Sequence, residues 1–169
     1  MNALIVFTWD GEHMVPMPRF ARACDKKFVI GEYYKMDVQE ERSWQSHKHY
    51  FASLHDGWAN LPEQYAMEPW AQSVGHLRAY SLIKTGWHDT QTFACGTKAE
   101  AERWAARLRP MDDYAIVVAQ GSTVTRFTAK SQAMSAMGKE DFQKSKDDVL
   151  SFVEGLLSVD RGSLGGRAA

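Results

Sequence analysis

Three histidines lie close together in the stretch RSWQSHKHYFASLHDGW, residues 42–58. Imidazole nitrogens can bind a metal ion or carry a proton in catalysis. Ligands on one helix converge when they are three or four residues apart, but His47 and His49 are two apart and His55 lies two turns beyond His47. The chain also has no G-x-S-x-G elbow, no P-loop and no G-x-G-x-x-G motif. We therefore expect no metal, no cofactor and no catalytic residues, and histidines on helix surfaces are the simpler interpretation.

The same stretch offers groups that could contact nucleic acid. Arg42, Ser46 and His49 follow one another at intervals of four and three residues, and Lys48 is adjacent. Cationic side chains bind phosphates, hydroxyl groups add hydrogen bonds, and aromatic rings stack on bases. A solvated helix face has the same spacing, so that interpretation stays open. The predicted DNA-binding residues consist of these four and four from later segments: Arg78, Lys84, Lys130 and Ser131.

Apolar spacing predicts that this stretch is a helix. Intervals of three and four residues are typical of one helix face, and they separate Trp44, His47, Phe51, Leu54 and Trp58. Ser43 is the expected N-cap. Further helices are predicted over residues 19–26, 73–86, 97–110 and 140–157. In the third of these, Thr97 and Glu100 form a capping box. In the last, the expected buried residues are Phe142, Val149, Phe152, Val153 and Leu156.

Strands are predicted where apolar and β-branched residues cluster between turn residues. ALIVFTW should be a strand that ends in a turn at Asp10-Gly11, and FVIGEYYKMDV, residues 28–38, a second strand with a bulge at Gly31. WHDTQTFAC should be a third, and YAIVVAQGSTVTRFTA reads as a hairpin with its turn at QGS. Because strand and helix do not alternate regularly, we predict an α+β fold with a small antiparallel sheet packed with about four helices.

Length and composition limit the class of protein. The 169 residues suffice for one domain, which we place at residues 1–158, and the Gly-rich residues 159–169 are expected to be a flexible tail. A net charge of -1 argues against a protein coated in basic charge but permits a local basic patch. Two cysteines, no secretory leader and no long apolar stretch predict a cytoplasmic protein with free thiols and no membrane span.

ERSWQSHKHYFA resembles the first helix of the NinB (Orf) recombination proteins of lambda-like phages, and also related prophage proteins. The residues that carry this resemblance are Arg42, Ser43, Lys48, His49, Phe51 and Ala52, with Ser46 where the family has Gln. A second similarity runs from VVAQGS to the last helix. It rests on Lys130, Ser131, Met134, Met137, Glu140 and Phe142. The resemblance extends roughly from residue 41 to residue 153, and the middle of that range matches poorly.

The resemblance implies a phage-encoded accessory protein of recombination that is not an enzyme. Such proteins are dimeric, have an α+β fold and bind single-stranded DNA or DNA junctions. They help to load a recombinase and contact the single-strand-binding protein of the host, so the cytoplasm of a bacterial host cell is the expected location. The alternative is a phage effector that binds and inhibits a host protein, such as a nuclease or a defence complex. A near-neutral chain rich in Trp and Met suits a protein interface as well.

Overall fold

The computed structural model of the chain describes residues 5–36, 44–111, 113–133 and 135–164, with the side chains of all of them except Trp44 and Gln45. It divides into two compact units, residues 1–39 and residues 40–169. Helices and two small antiparallel sheets make up the described part, so the predicted α+β class is confirmed.

The first unit contains a short hairpin followed by a short helix. Strands β1 (Phe7–Trp9) and β2 (Met14–Pro16) pair antiparallel, with Phe7 opposite Pro16. In the turn between them, the Asp10 carboxylate accepts hydrogen bonds from the backbone N–H groups of His13 and Glu12, which lower the pKa of Asp10. Helix α1 (Ala21–Lys27) lies close to the predicted range.

The strand predicted at residues 28–38 is wrong over residues 28–36, and residues 37 and 38 lie outside the described part. A turn replaces it, in which the Glu32 N–H donates to the carbonyl of Val29, and Gly31 has φ of +90°. The Val29 N–H donates to the hydroxyl of Tyr34. These local bonds hold the segment as a turn, and β propensity alone cannot form a strand without a neighbouring strand.

The larger core of the second unit lies among three helices, namely α2 (Trp44–Ala59), α3 (Val74–Lys84) and α5 (Lys139–Leu157). Helix α3 begins at the N-cap Ser73, whose hydroxyl accepts from the N–H of His76. The buried residues of this core include Tyr50, Leu54, Trp70, Leu77, Leu82, Phe142, Val149 and Val153. The predicted α5 stripe is confirmed at Phe142, Val149 and Val153, whereas Phe152 and Leu156 are half-buried.

A three-stranded sheet and helix α4 (Lys98–Leu108) form a second, smaller core. Strands β3 (His88–Ala94), β4 (Ala115–Gln120) and β5 (Thr123–Ala129) are antiparallel in the order β3-β5-β4. The predicted hairpin is confirmed, and its turn includes Gly121 at φ +58°. Thr97 caps α4 as predicted, but the Glu100 carboxylate accepts from the N–H of Gly96 instead of that of Thr97.

Residues 159–164 of the expected tail belong to the described part of the chain. Leu164 is 2% exposed and belongs to the larger core, although the sequence around it is rich in Gly and Ser. Its burial depends on hydrogen bonds to side chains of two helices, which composition cannot indicate. Residues 165–169 lie outside the described part of the chain.

Candidate nucleic-acid interface

Helix α2 carries three of the eight predicted site residues, Ser46, Lys48 and His49, and its register differs from the predicted one. Its buried line consists of Tyr50, Ser53, Leu54 and Gly57. Leu54 is buried as predicted, but Phe51 and Trp58 are half-buried, and the Trp44 side chain is outside the described part. The helix is therefore rotated so that Tyr50 and two small residues face α5. Apolar spacing alone could not reveal this, because Ser and Gly do not count as apolar residues.

Phe51 lies at the edge of the core, between helices α2 and α3. The centre of its ring is 4.8 Å from that of His47 and 5.4 Å from the guanidinium carbon of Arg78. A cation over an aromatic face at this distance is an attractive contact. Lys48 is exposed and precedes Phe51 by three residues, so the two are neighbours on the helix surface. We call His47, Lys48, Phe51 and Arg78 the Phe51 surface.

Beneath the Phe51 surface lies the hydroxyl group of Tyr50. Burial raises the pKa of Tyr50 to about 12, and the hydrogen bond with Gln132 and the positive charge of Arg78 act in the opposite direction. The phenol is therefore neutral at physiological pH.

Gln132, in the segment after strand β5, forms hydrogen bonds with side chains of helices α2 and α5. The Tyr50 hydroxyl donates to Oε1 of Gln132 over 3.1 Å, and Nε2 of Gln132 donates to the hydroxyl of Ser145 over 2.8 Å. All three side chains are buried. The preceding Lys130 and Ser131 are both exposed. The network therefore attaches the Lys130–Ser131 pair to the helix that carries Lys48.

Three of the other predicted residues occupy different surroundings. Ser46 faces α5, where its hydroxyl accepts from the ammonium group of Lys146 over 3.0 Å. His49 is half-buried. The Lys84 ammonium group lies 5.6 Å from the ring of Tyr80, and six residues separate Lys84 from Arg78, which puts them on different sides of α3. Arg42 lies outside the described residues. Lys48 and Arg78 thus both lie next to the Phe51 ring, and Gln132 links the segment of Lys130 and Ser131 to α2. Ser46 lies against α5, and Lys84 is on another side of α3.

Lys146 is a cation that the sequence-based prediction missed. It follows Phe142 by four residues on α5, and the Phe142 ring stacks with that of His47 at 5.8 Å. The spacing within α5 could have placed Lys146 beside Phe142, but not the contact between α5 and α2. The same helix exposes Glu140, Asp141 and Asp147. Helix α5 therefore carries exposed carboxylates as well as Lys146.

Two further histidines, His55 and His76, contact aromatic rings. Over the residues that the structure describes, no group of three or more His, Cys, Asp or Glu side chains could hold a metal ion. The ring of His55 packs against Trp58 with centroids 6.0 Å apart, and that of His76 lies 5.6 Å from Tyr114. Burial is the main cause that raises the pKa of Tyr114 to about 12, and the nearby Tyr80 and Glu68 act in the same direction.

In the described part of the chain, no helix combines the length and the apolar character that crossing a membrane requires.

A comparison of the chain with protein-family models, with curated proteins and with solved structures found no match.

Proposed function

We propose that this chain binds single-stranded DNA through the Phe51 surface together with Lys130 and Ser131. The observation that carries the proposal is the position of the Arg78 guanidinium over the half-buried Phe51 ring. It places a delocalised cation beside an aromatic ring on adjacent helices, with Lys48 exposed one turn away. Single-strand sites commonly combine aromatic rings that stack on bases with cations that follow the phosphates.

The net charge of -1 restricts such binding to a patch. The acidic side chains of α5 would repel a phosphate backbone, so a bound strand should run along α2 and α3 and away from Asp141 and Asp147. Non-specific single-strand binding depends mainly on phosphate contacts and is therefore sensitive to salt. No base-specific contact is needed for it.

The role of an accessory protein in phage recombination rests on the sequence resemblance alone. The proposed role includes binding to single strands or DNA junctions, a homodimeric state, and contact with a host single-strand-binding protein or recombinase. The proposed location is the cytoplasm of the bacterial host cell. A homodimer would present two copies of the Phe51 surface, and a strand that spans both would bind more tightly than either copy alone.

A charge-matched pair of double variants tests the DNA proposal. Lys48→Ala with Arg78→Ala removes two cations from the Phe51 surface. Lys98→Ala with Arg103→Ala removes two exposed cations from α4. Fluorescence anisotropy with a labelled single strand at low salt should show weaker binding, by about tenfold or more, for the first variant only. Equal losses in both variants would mean that net charge, and not this site, determines binding.

The alternative, an effector that inhibits a host protein, is favoured by a different observation in the first unit. No residue of the described range 5–36 is buried. Within this range, nine large apolar or aromatic side chains are each more than a third exposed: Trp9, Met14, Val15, Met17, Val29, Ile30, Tyr33, Tyr34 and Met36. Exposed apolar side chains mark an interaction surface where they form one contiguous patch. If the wild-type protein does not bind single strands at low salt, the double variant Ile30→Ser with Tyr33→Ser tests the alternative. A host protein that binds the wild type and does not bind this variant would support the effector.

A further inference from the structure

Leu164 fills a slot between helices α2 and α5. Its side chain and backbone together are 2% exposed, and it packs with the core residues that include Leu54 and Val153. The residues before it contribute little to this packing, because Val159, Asp160 and Arg161 are exposed and Gly162 has no side chain. Leu164 is therefore the one apolar side chain that the described segment 158–164 buries against the helices.

Buried side chains bind both backbone groups of Leu164. Its N–H donates to Oε1 of Glu154 over 3.0 Å, and its carbonyl accepts from the hydroxyl of Ser53 over 3.2 Å. Glu154 is 3% exposed and Ser53 0%. Buried polar groups that lose their partners are costly, so the slot is complementary to a peptide backbone as well as to an apolar side chain.

Gly57 gives the slot its depth. A Cβ atom at this position would lie 2.7 Å from a methyl carbon of Val153 and 3.3 Å from Cδ1 of Leu164. Any larger residue would thus compete with the leucine for the same space. The absence of a side chain at Gly57 allows the leucine to enter between the two helices.

The segment that leads to Leu164 is held by local contacts with few ties to the core. Ser158 ends α5 in the left-handed conformation, at φ +55°. The N–H and the hydroxyl of Ser163 both donate to the carbonyl of Asp160, and Nε of Arg161 donates to the hydroxyl of Ser151. The two Ser163 bonds form a short turn, and the exposed Arg161 bond joins it to α5. Leu164 is the one buried residue of the segment 158–164, and segments with few buried contacts open locally.

We propose that Ser53, Gly57, Val153 and Glu154 form a peptide-binding slot whose ligand is a leucine-bearing segment, and that residues 159–164 of this chain occupy it as a separable ligand. The slot recognises one leucine side chain together with the N–H and C=O of the same residue. This inference goes beyond the proposed DNA binding and does not depend on it.

A synthetic peptide of residues 159–169, labelled with a fluorophore, tests the slot in the full-length chain. Leu164→Ala removes the anchor from the chain's own segment, and Val159→Ala is the control because Val159 is exposed. The peptide should bind the Leu164→Ala protein at least tenfold more tightly than wild type or Val159→Ala. A peptide with Ala in place of its leucine should bind none of them. Equal binding to all three proteins, or binding to none, would overturn the proposal.

Hydrogen exchange of wild-type protein decides the question if Leu164→Ala does not fold. A separable segment opens while the helices stay folded, so the Leu164 amide should exchange at least tenfold faster than the amides of Val149 and Val153 in the absence of denaturant. If the three amides exchange at the same rate, Leu164 is an integral part of the core and the slot has no separable ligand.

Discussion

The guanidinium carbon of Arg78 lies 5.4 Å from the centre of the Phe51 ring, across the contact between α3 and α2. His47 touches the same ring, and its own ring stacks with that of Phe142 on α5. One half-buried aromatic side chain therefore contacts a cation from a second helix and a histidine that reaches a third. The arrangement has consequences for stability and for binding that can be measured separately.

The burial of α2 predicts that Leu54→Ala destabilises the protein more than Phe51→Ala. Leu54 is fully buried, and its truncation should cost about 3–4 kcal/mol of unfolding free energy. Phe51→Ala should cost about 2 kcal/mol, because part of the ring already faces water. Urea unfolding followed by circular dichroism measures both. A larger loss for Phe51→Ala would contradict the half-buried position of Phe51 and would support the predicted face of Trp44, His47, Phe51, Leu54 and Trp58, in which Phe51 is a core residue.

Two helical glycines, the buried Gly57 and the exposed Gly155, should respond to alanine in opposite ways. Gly57→Ala brings a Cβ atom to 2.7 Å from a side-chain carbon of Val153, so overpacking should cost about 1–3 kcal/mol. Gly155→Ala in α5 meets nothing within 4 Å and should stabilise the protein by about 0.5–1 kcal/mol through helix propensity. Thermal or urea unfolding of the two variants is the measurement. Gly57→Ala as stable as wild type would mean that α2 and α5 are further apart.

Stability should fall at alkaline pH because of Tyr50. Its pKa in the folded protein is about 12, against 10.0 for an ordinary tyrosine, and burial is the main cause. The folded state therefore holds the phenolic proton more tightly. The contribution to stability is complete below pH 10 and is lost as pH rises towards 12, at up to about 1.4 kcal/mol per pH unit. Urea midpoints measured from pH 9 upward should show this decline.

Two phenylalanine variants test whether Tyr50 causes the alkaline decline. Tyr50→Phe should make the decline shallower, although it also lowers stability at neutral pH because Gln132 loses a hydrogen-bond donor. Tyr33→Phe is the control, since Tyr33 is fully exposed. Tyr114 also has a raised pKa, so part of the decline should persist in Tyr50→Phe. Identical slopes for wild type and Tyr50→Phe would exclude Tyr50 as a contributor.

Elements with strong local signals could be predicted from the sequence. Thr97 and Glu100 mark the start of α4, and the two-residue turn at Gly121 defines the β4–β5 hairpin. The turn requires a positive φ, which Gly adopts without strain. Such features depend on interactions among residues close in sequence, so no knowledge of the tertiary fold is needed.

Features that depend on contacts between distant segments could not be predicted. Residues 28–36 have β propensity but pair with no described strand, and Leu164 is buried although its neighbours resemble a linker. At the candidate site, Lys146 lies beside Ser46 only because α5 packs on α2. Lys84 and Arg78 are both predicted as DNA-binding residues from the sequence, but they lie on different sides of α3. The chemical type of each residue could be read from the sequence, and the grouping of these residues could not.

The most direct test of the central claim is the salt dependence of single-strand binding. Anisotropy would be measured with an oligothymidine of about 20 nucleotides, longer than most single-domain sites. If Lys48, Arg78 and Lys130 each neutralise one phosphate, the slope of log K against log salt should be about -2 for wild type, and it should become shallower by about 1.4 in Lys48→Ala with Arg78→Ala. No binding at low salt, or an unchanged slope in the double variant, would contradict DNA binding at the Phe51 surface.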